Sequence, residues 1–179
     1  MDDQKLYDTN ARPPVFKSAL ESGLLITAVL IIYTMALYLL DLYMVQWLGY
    51  VAIGIMIVAL YIAGNNYRKR GGRAALSYGK AFKFLFLTLL VASVVGGIFN
   101  FIYFTWIAPD VIDFAIEESY NQMLERGLSE EQAEQQMQFA LPWMTNWSFA
   151  LFGAVGSIFW GTIASLIMAA MLKRDTSSI

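Results

Sequence analysis

The chain contains no cysteine and no histidine. The first absence excludes disulfides, thiolate metal sites and cysteine nucleophiles. The second removes the commonest general base, the commonest metal ligand and the one side chain whose ordinary pKa lies near neutrality. Neither a His-based triad nor a zinc site can be assembled from this chain alone. Charge is scarce as well. Asp, Glu, Lys and Arg make up 15% of the 179 residues, against about a quarter in a soluble domain. Proline occurs only four times, and never inside a long apolar run. The amino end lacks the basic n-region, short apolar core and small-residue cleavage site of a signal peptide.

What the chain has is apolar surface. Hydrophobic residues make up 58% of it, and they are clumped into runs long enough for a bilayer, which needs about 20 residues of helix. Four such runs are predicted as spans, at about 18–40, 47–64, 81–106 and 147–172. Polar tails cover 1–17 and 173–179, and one sizeable polar segment, 108–146, separates spans three and four. The expected fold is all-α. It is a polytopic membrane protein with four transmembrane helices and an extracytoplasmic amphipathic helical hairpin between the last two.

Local signals place the elements. Lys17 and Glu21 fall one turn apart on one face at the start of span one, and Asp41 marks its end. The short connection over 41–46 predicts an antiparallel pair with span two. Gly64-Asn65-Asn66 is expected to stop span two, since Gly and Asn suit a helix C-terminus. Ser77 is placed to cap span three. In the polar segment Ile112, Ile116, Tyr120 and Met123 recur at helical spacing. Gly127 is placed to end that helix, and Ser129-Glu130-Glu131-Gln132 reads as a capping box opening another. Its apolar stripe is Ala133, Met137 and Ala140 or Leu141, and Pro142 stops it.

Orientation follows from the cations. With four spans, all but Arg126 of the twelve Lys and Arg fall on one side. Arg68, Lys69, Arg70 and Arg73 form a basic loop there, and Lys80 and Lys83 can snorkel back to headgroups from the first turns of span three. Short basic loops stay cytoplasmic, so both termini are expected inside and 108–146 outside. Trp47, Trp106, Trp143 and Trp147 all fall at the expected outer boundary, where indole rings are enriched. Trp160 lies within span four. The loop's cations would also attract anionic headgroups, by about 1 kcal/mol per residue near the surface.

Several constellations are candidates for function. Gly153, Ser157, Gly161, Ser165 and Ala169 make a ridge of small residues spaced by four. Such a ridge lets another helix approach closely. Span three offers matching stripes, Ala92-Gly96-Asn100 and Ser93-Gly97. Packing within the chain is the plainer reading of this seam, and a homo-oligomer interface the sharper one. Asn100 is a carboxamide well inside a span, either interhelical glue or the lining of a pathway. Glu21 is the one acid that could lie within a span, either an interfacial ion pair or a cation site. The outer segment carries Asp110, Asp113, Glu117, Glu118, Glu125, Glu130, Glu131 and Glu134 against Arg126. Asp113 with Glu117, and Glu130 with Glu134, each share a helix face and form a candidate docking face for a basic partner. Their spacing does not match a calcium loop. Arg70-Gly71-Gly72-Arg73 lacks the strand-to-helix context of a phosphate loop. Nucleic-acid binding is not expected from one short basic loop in a chain of net charge −2. No cofactor or metal is expected.

Phe16-Lys17-Ser18-Ala19-Leu20-Glu21-Ser22-Gly23-Leu24, Leu76-Ser77-Tyr78-Gly79-Lys80-Ala81-Phe82-Lys83 and Arg126-Gly127-Leu128-Ser129-Glu130-Glu131-Gln132, in this order within a four-span layout, resemble a family of small bacterial membrane proteins known mostly from Bacteroidetes. This is domain-of-unknown-function family 4199. The resemblance runs over nearly the whole chain, from Phe16 to Arg174. It implies a bacterial inner-membrane protein with four spans, and it supplies no activity or catalytic residue. The family pattern often has an acid where Lys80 stands, and this chain departs there.

The expected function is therefore that of a non-enzymatic partner subunit or scaffold. It would sit in the lipid bilayer of the inner membrane and meet another membrane or periplasmic protein through its acidic outer hairpin. The rival is a small oligomeric transporter or channel with Glu21 and Asn100 near the pathway.

Overall fold

A computed structural model of the protein describes residues 13–71 and 76–173. Arg73, in the basic loop, and the ends of both tails lie outside the described residues. The architecture is all-helical: α1 Val15–Leu39, α2 Gln46–Arg70, α3 Tyr78–Ile102, α4 Asp110–Glu125, α5 Glu130–Ala140 and α6 Asn146–Leu172. A π-helical turn, Tyr103–Ile107, extends α3, and a 3-10 turn, Leu141–Trp143, follows α5. Four helices are long and apolar enough to cross a membrane: Val15–Leu39, Trp47–Arg70, Tyr78–Ile107 and Asn146–Leu172. They run up and down, so the bundle has a basic end and a hairpin end. The α1–α2 turn and the α4–α5 hairpin share the latter.

α3 is the hub. It packs along α1 on one side and α6 on the other, and α2 makes smaller contacts with all three of these helices. Each of the three neighbours presents a glycine to a large side chain or the backbone of α3. A methyl on Gly23 of α1 would lie 2.8 Å from the Thr88 carbonyl oxygen and 2.7 Å from Val91 Cβ. One on Gly161 of α6 would lie 2.5 Å from Leu89 Cδ1. One on Gly64 of α2 would lie 2.5 Å from Leu172 Cδ1 and 2.9 Å from Leu85 Cδ2. Ordinary carbon contacts sit near 3.5–4.0 Å, so these notches set how closely the axes approach. Small residues matter here because lipid is as apolar as the side chains, and close packing has to replace the hydrophobic drive.

Polar groups finish the seams. Thr27 Oγ1 donates to Gly23 O at 2.9 Å and reaches Ala92 O across the α1–α3 contact at 3.4 Å. Ser93 and Ser157 hydroxyls meet at 2.8 Å between α3 and α6. Tyr67 of α2 stacks flat on Phe84 of α3, with centroids 4.2 Å apart.

Two features depart from the sequence reading. α2 does not stop at Gly64-Asn65-Asn66 but runs on to Arg70. Gly64 is a packing glycine buried against Leu172 and Leu85, and the next turn is held by the Tyr67–Phe84 stack and an Arg68–Asn65 side-chain bond of 2.9 Å. Ser77 does occupy the cap position of α3, but its hydroxyl makes no capping bond. The other helix ends follow their local signals. Gly127, at φ 88, closes α4 with its N–H on Leu124 O, and Leu128 N–H on Met123 O completes a paired motif. Asp41, at φ 53, closes α1 in the same way through Leu42 N–H on Leu37 O. Asp tolerates this left-handed conformation better than most residues.

Candidate functional site: an acidic groove on the helical hairpin

The hairpin is built from local rules. The capping box of α5 is formed at both of its bonds, Gln132 N–H to Ser129 Oγ at 3.3 Å and Ser129 N–H to Gln132 Oε1 at 3.0 Å. The apolar stripe of α5, Ala133 and Met137, is buried together with Ile112 of α4. Pro142 lies in the 3-10 turn that follows α5, and Thr145 then caps α6 by accepting from Ser148 N–H.

An aromatic cluster joins the hairpin to the bundle. Tyr43, in the α1–α2 turn, donates its hydroxyl to Asp110 Oδ2 at 2.8 Å, on the first residue of α4. Its ring meets Phe114 edge-on at 6.5 Å and lies 5.7 Å from Tyr38, which in turn meets buried Tyr103 at 5.9 Å. The bond to the Asp110 carboxylate, with the charges of Asp110 and Asp41 nearby, raises the Tyr43 pKa above its ordinary value. Tyr103 opens the π-helical turn. Sequence reading singled out none of these tyrosines, because they lie 60 or more residues apart along the chain in the case of Tyr43 and Tyr103.

Between α4 and α5 runs an open groove of about 420 Å³, lined by Ile116, Tyr120, Met137 and Leu141, with Glu117, Glu134 and Gln138 beside them. Glu117 and Glu134 come from the two acidic faces that the sequence put on separate helices, and the fold sets both on this one groove. Asp113 and Glu130, the other halves of those pairs, are exposed and do not line it. A second, shallow hollow on the opposite side of α5 is lined by uncharged residues. Gln132, Gln135, Gln136 and Phe139 line it with Gly127 and Leu128, and Phe139 is 82% exposed. Among the described residues no group of three or more Asp and Glu converges to hold a metal ion.

The other candidate residues are placed as follows. Ser157, Gly161, Ser165 and Ala169 of the α6 ridge turn into the bundle, while Gly153 faces open space. The partner line on α3 is Leu89, Ser93 and Gly97, not Ala92-Gly96-Asn100. Gly97 comes within 3.2 Å of Ala154 Cβ when given a methyl, whereas Gly96 meets nothing. Ala92 lies toward α1, where its carbonyl faces Thr27. Gly96 and half-buried Asn100 occupy the strip between the two contact lines. Ser165 Oγ is fully buried without a hydrogen-bond partner among the described residues. Glu21 does not meet Lys17. Its carboxylate faces Arg70 of α2 at 3.9 Å, with both side chains more than half exposed, and such a pair contributes at most about 1 kcal/mol. Arg68, Lys69, Arg70, Lys80 and Lys83 gather at the basic end. Trp47, Trp106, Trp143 and Trp147 are all exposed at the hairpin end, with Phe101 edge-on to both Trp106 and Trp147.

The chain matches no curated protein and no solved structure. A family profile does match, over residues 21–174, and it takes in most of α1, the three other helices long and apolar enough to cross a membrane, and the hairpin between the last two. On that match, the protein belongs to the DUF4199 family, described as a protein of unknown function.

Proposed function

We propose that this protein is a non-enzymatic partner subunit or scaffold of the bacterial cytoplasmic membrane, holding another membrane or periplasmic protein through its acidic hairpin. Both termini and the basic end face the cytoplasm, because nearly all the cations gather there and translocating them is disfavoured. The observation that carries the reading is the anchored hairpin. Its first helix is tied to the α1–α2 turn through Tyr43–Asp110 and Tyr43–Phe114, and its second leads into α6 through one short turn. A segment held at both ends presents a fixed surface, and preorganisation of this kind lowers the cost of binding.

The rival transporter reading draws less support. Glu21 is exposed and sits beside Arg70, which suits an ion pair at the headgroup level better than a site within the span. A second copy is also a less favoured partner through the α6 ridge, since most of that ridge is filled by α3. The test is crosslinking in intact membranes of a deletion strain complemented by tagged protein. Photoreactive residues in the hairpin should repeatedly capture the same neighbour. Recovery of tagged protein with no reproducible partner would sink the proposal.

A further inference from the structure

The groove between α4 and α5 is specific enough to say what fits it. We infer that it receives a cationic amphipathic helix of the partner protein, with apolar side chains seated on Ile116, Tyr120, Met137 and Leu141 and Lys or Arg beside Glu117 and Glu134. This rests on the partner-subunit reading and narrows it to one face and one chemistry.

Three observations lead there. First, the groove floor is apolar while its flanks carry two carboxylates and no cation. Arg126, the one cation of the hairpin, sits at the far turn and does not line the groove. Charge complementarity therefore asks for a positively charged occupant, and the apolar floor asks for an amphipathic one. Second, the dimensions suit a helix segment. Glu134 on α5 and Leu141 at the start of the 3-10 turn after it are seven residues apart, which is about 10 Å along the axis, or two turns of a guest helix. A volume of about 420 Å³ takes a few side chains rather than a whole helix, which is the usual helix-in-groove arrangement of spaced anchors. Third, the charges argue against the membrane surface as occupant. Anionic headgroups would be repelled by Glu117 and Glu134. The face fit for lipid is the opposite one, where Phe139 stands exposed among glutamines. Phe139 is two residues beyond Met137, so it points about 200° away from the groove.

The probe is a synthetic peptide of about 14 residues, four helical turns, with leucines on one face and lysines flanking them. Binding is measured by fluorescence anisotropy to full-length protein in nanodiscs of neutral lipid. The wild-type protein should bind this peptide and ignore the same peptide with glutamate in place of lysine. Glu117→Gln with Glu134→Gln should weaken binding about three- to tenfold, the scale of two exposed ion pairs. Leu141→Asn, at an exposed position that disturbs no core, should weaken it comparably. Glu125→Gln with Glu131→Gln removes equal charge outside the groove and should change binding less than twofold. Equal losses in the two double variants, or no binding at all, would overturn the inference. Binding that follows Phe139→Ser instead would do so as well, by moving the site to the other face. In cells the two readings separate cleanly. A photoreactive residue at Gln138, beside the groove, should capture the partner while one at Gln135 does not. Capture at Gln135 alone refutes the groove and leaves the hairpin reading standing. Capture at neither refutes both.

Discussion

Replacing Gly23 by alanine tests the close contact between α1 and α3. The added methyl would lie 2.8 Å from the Thr88 carbonyl oxygen and 2.7 Å from Val91 Cβ. Neither is the loose end of a side chain. One is backbone, and the other is fixed to it, so relief requires α1 and α3 to move apart by most of an ångström toward ordinary contact near 3.5 Å. That movement also stretches the Thr27–Ala92 bond, already 3.4 Å long. Overpacking of this kind costs about 1–3 kcal/mol. Alanine is also the better helix former, by about 1 kcal/mol over glycine, so the bare substitution mixes two effects of opposite sign. The control is Gly153→Ala on α6, where a methyl meets nothing within 4 Å. It gains the propensity term without the clash. The difference between the two variants isolates the steric cost, and about 1–3 kcal/mol corresponds to a Tm roughly 2–12 °C lower for Gly23→Ala than for Gly153→Ala. Thermal unfolding in detergent, followed by size-exclusion of the surviving folded fraction, reads that difference. Equal midpoints, or a higher one for Gly23→Ala, would refute the close α1–α3 contact.

Three further outcomes are expected. The Ser93–Ser157 contact should give a coupling of about 0.6 kcal/mol, at most near 1.7, in a double-mutant cycle with alanine, whereas Ser165→Ala should cost nothing or stabilise, since its buried hydroxyl has no partner among the described residues. Tyr43 should titrate above its ordinary 10.0, in an ultraviolet difference titration of wild type against Tyr43→Phe, and Asp110→Asn should bring it back down. Because the folded pKa is raised, the tyrosine's share of the Tyr43–Asp110 tether is present below pH 10 and is lost as pH rises through the folded value, so hairpin anchoring weakens in strong alkali. Finally, the chain has no native cysteine, so single cysteines at Glu125 and Lys69 report sidedness directly. An impermeant maleimide added to intact cells should label the first and spare the second, and the reverse pattern would invert the proposed orientation.

The sequence by itself determined the four apolar runs, most of the helix ends and the hairpin. Those depend on short-range physics: runs of apolar residues long enough for a bilayer, a glycine at positive φ after α4, and a Ser129–Gln132 box three residues wide. The same short-range reading went astray at Gly64, where a helix-ending residue type serves as a notch for Leu85 and Leu172. It also offered two lines on α3, Ala92-Gly96-Asn100 and Ser93-Gly97, without deciding which of them meets α6. Both were decisions between helices far apart in the chain, and small residues mark a close contact without naming its partner. Only the tertiary structure decided that α3 is the hub, that Glu21 faces Arg70, and that Tyr43 ties down α4. It alone also set Glu117 and Glu134, from two separate helices, beside one apolar groove. A helix face is written in local periodicity, whereas a groove exists only once two faces have been brought together.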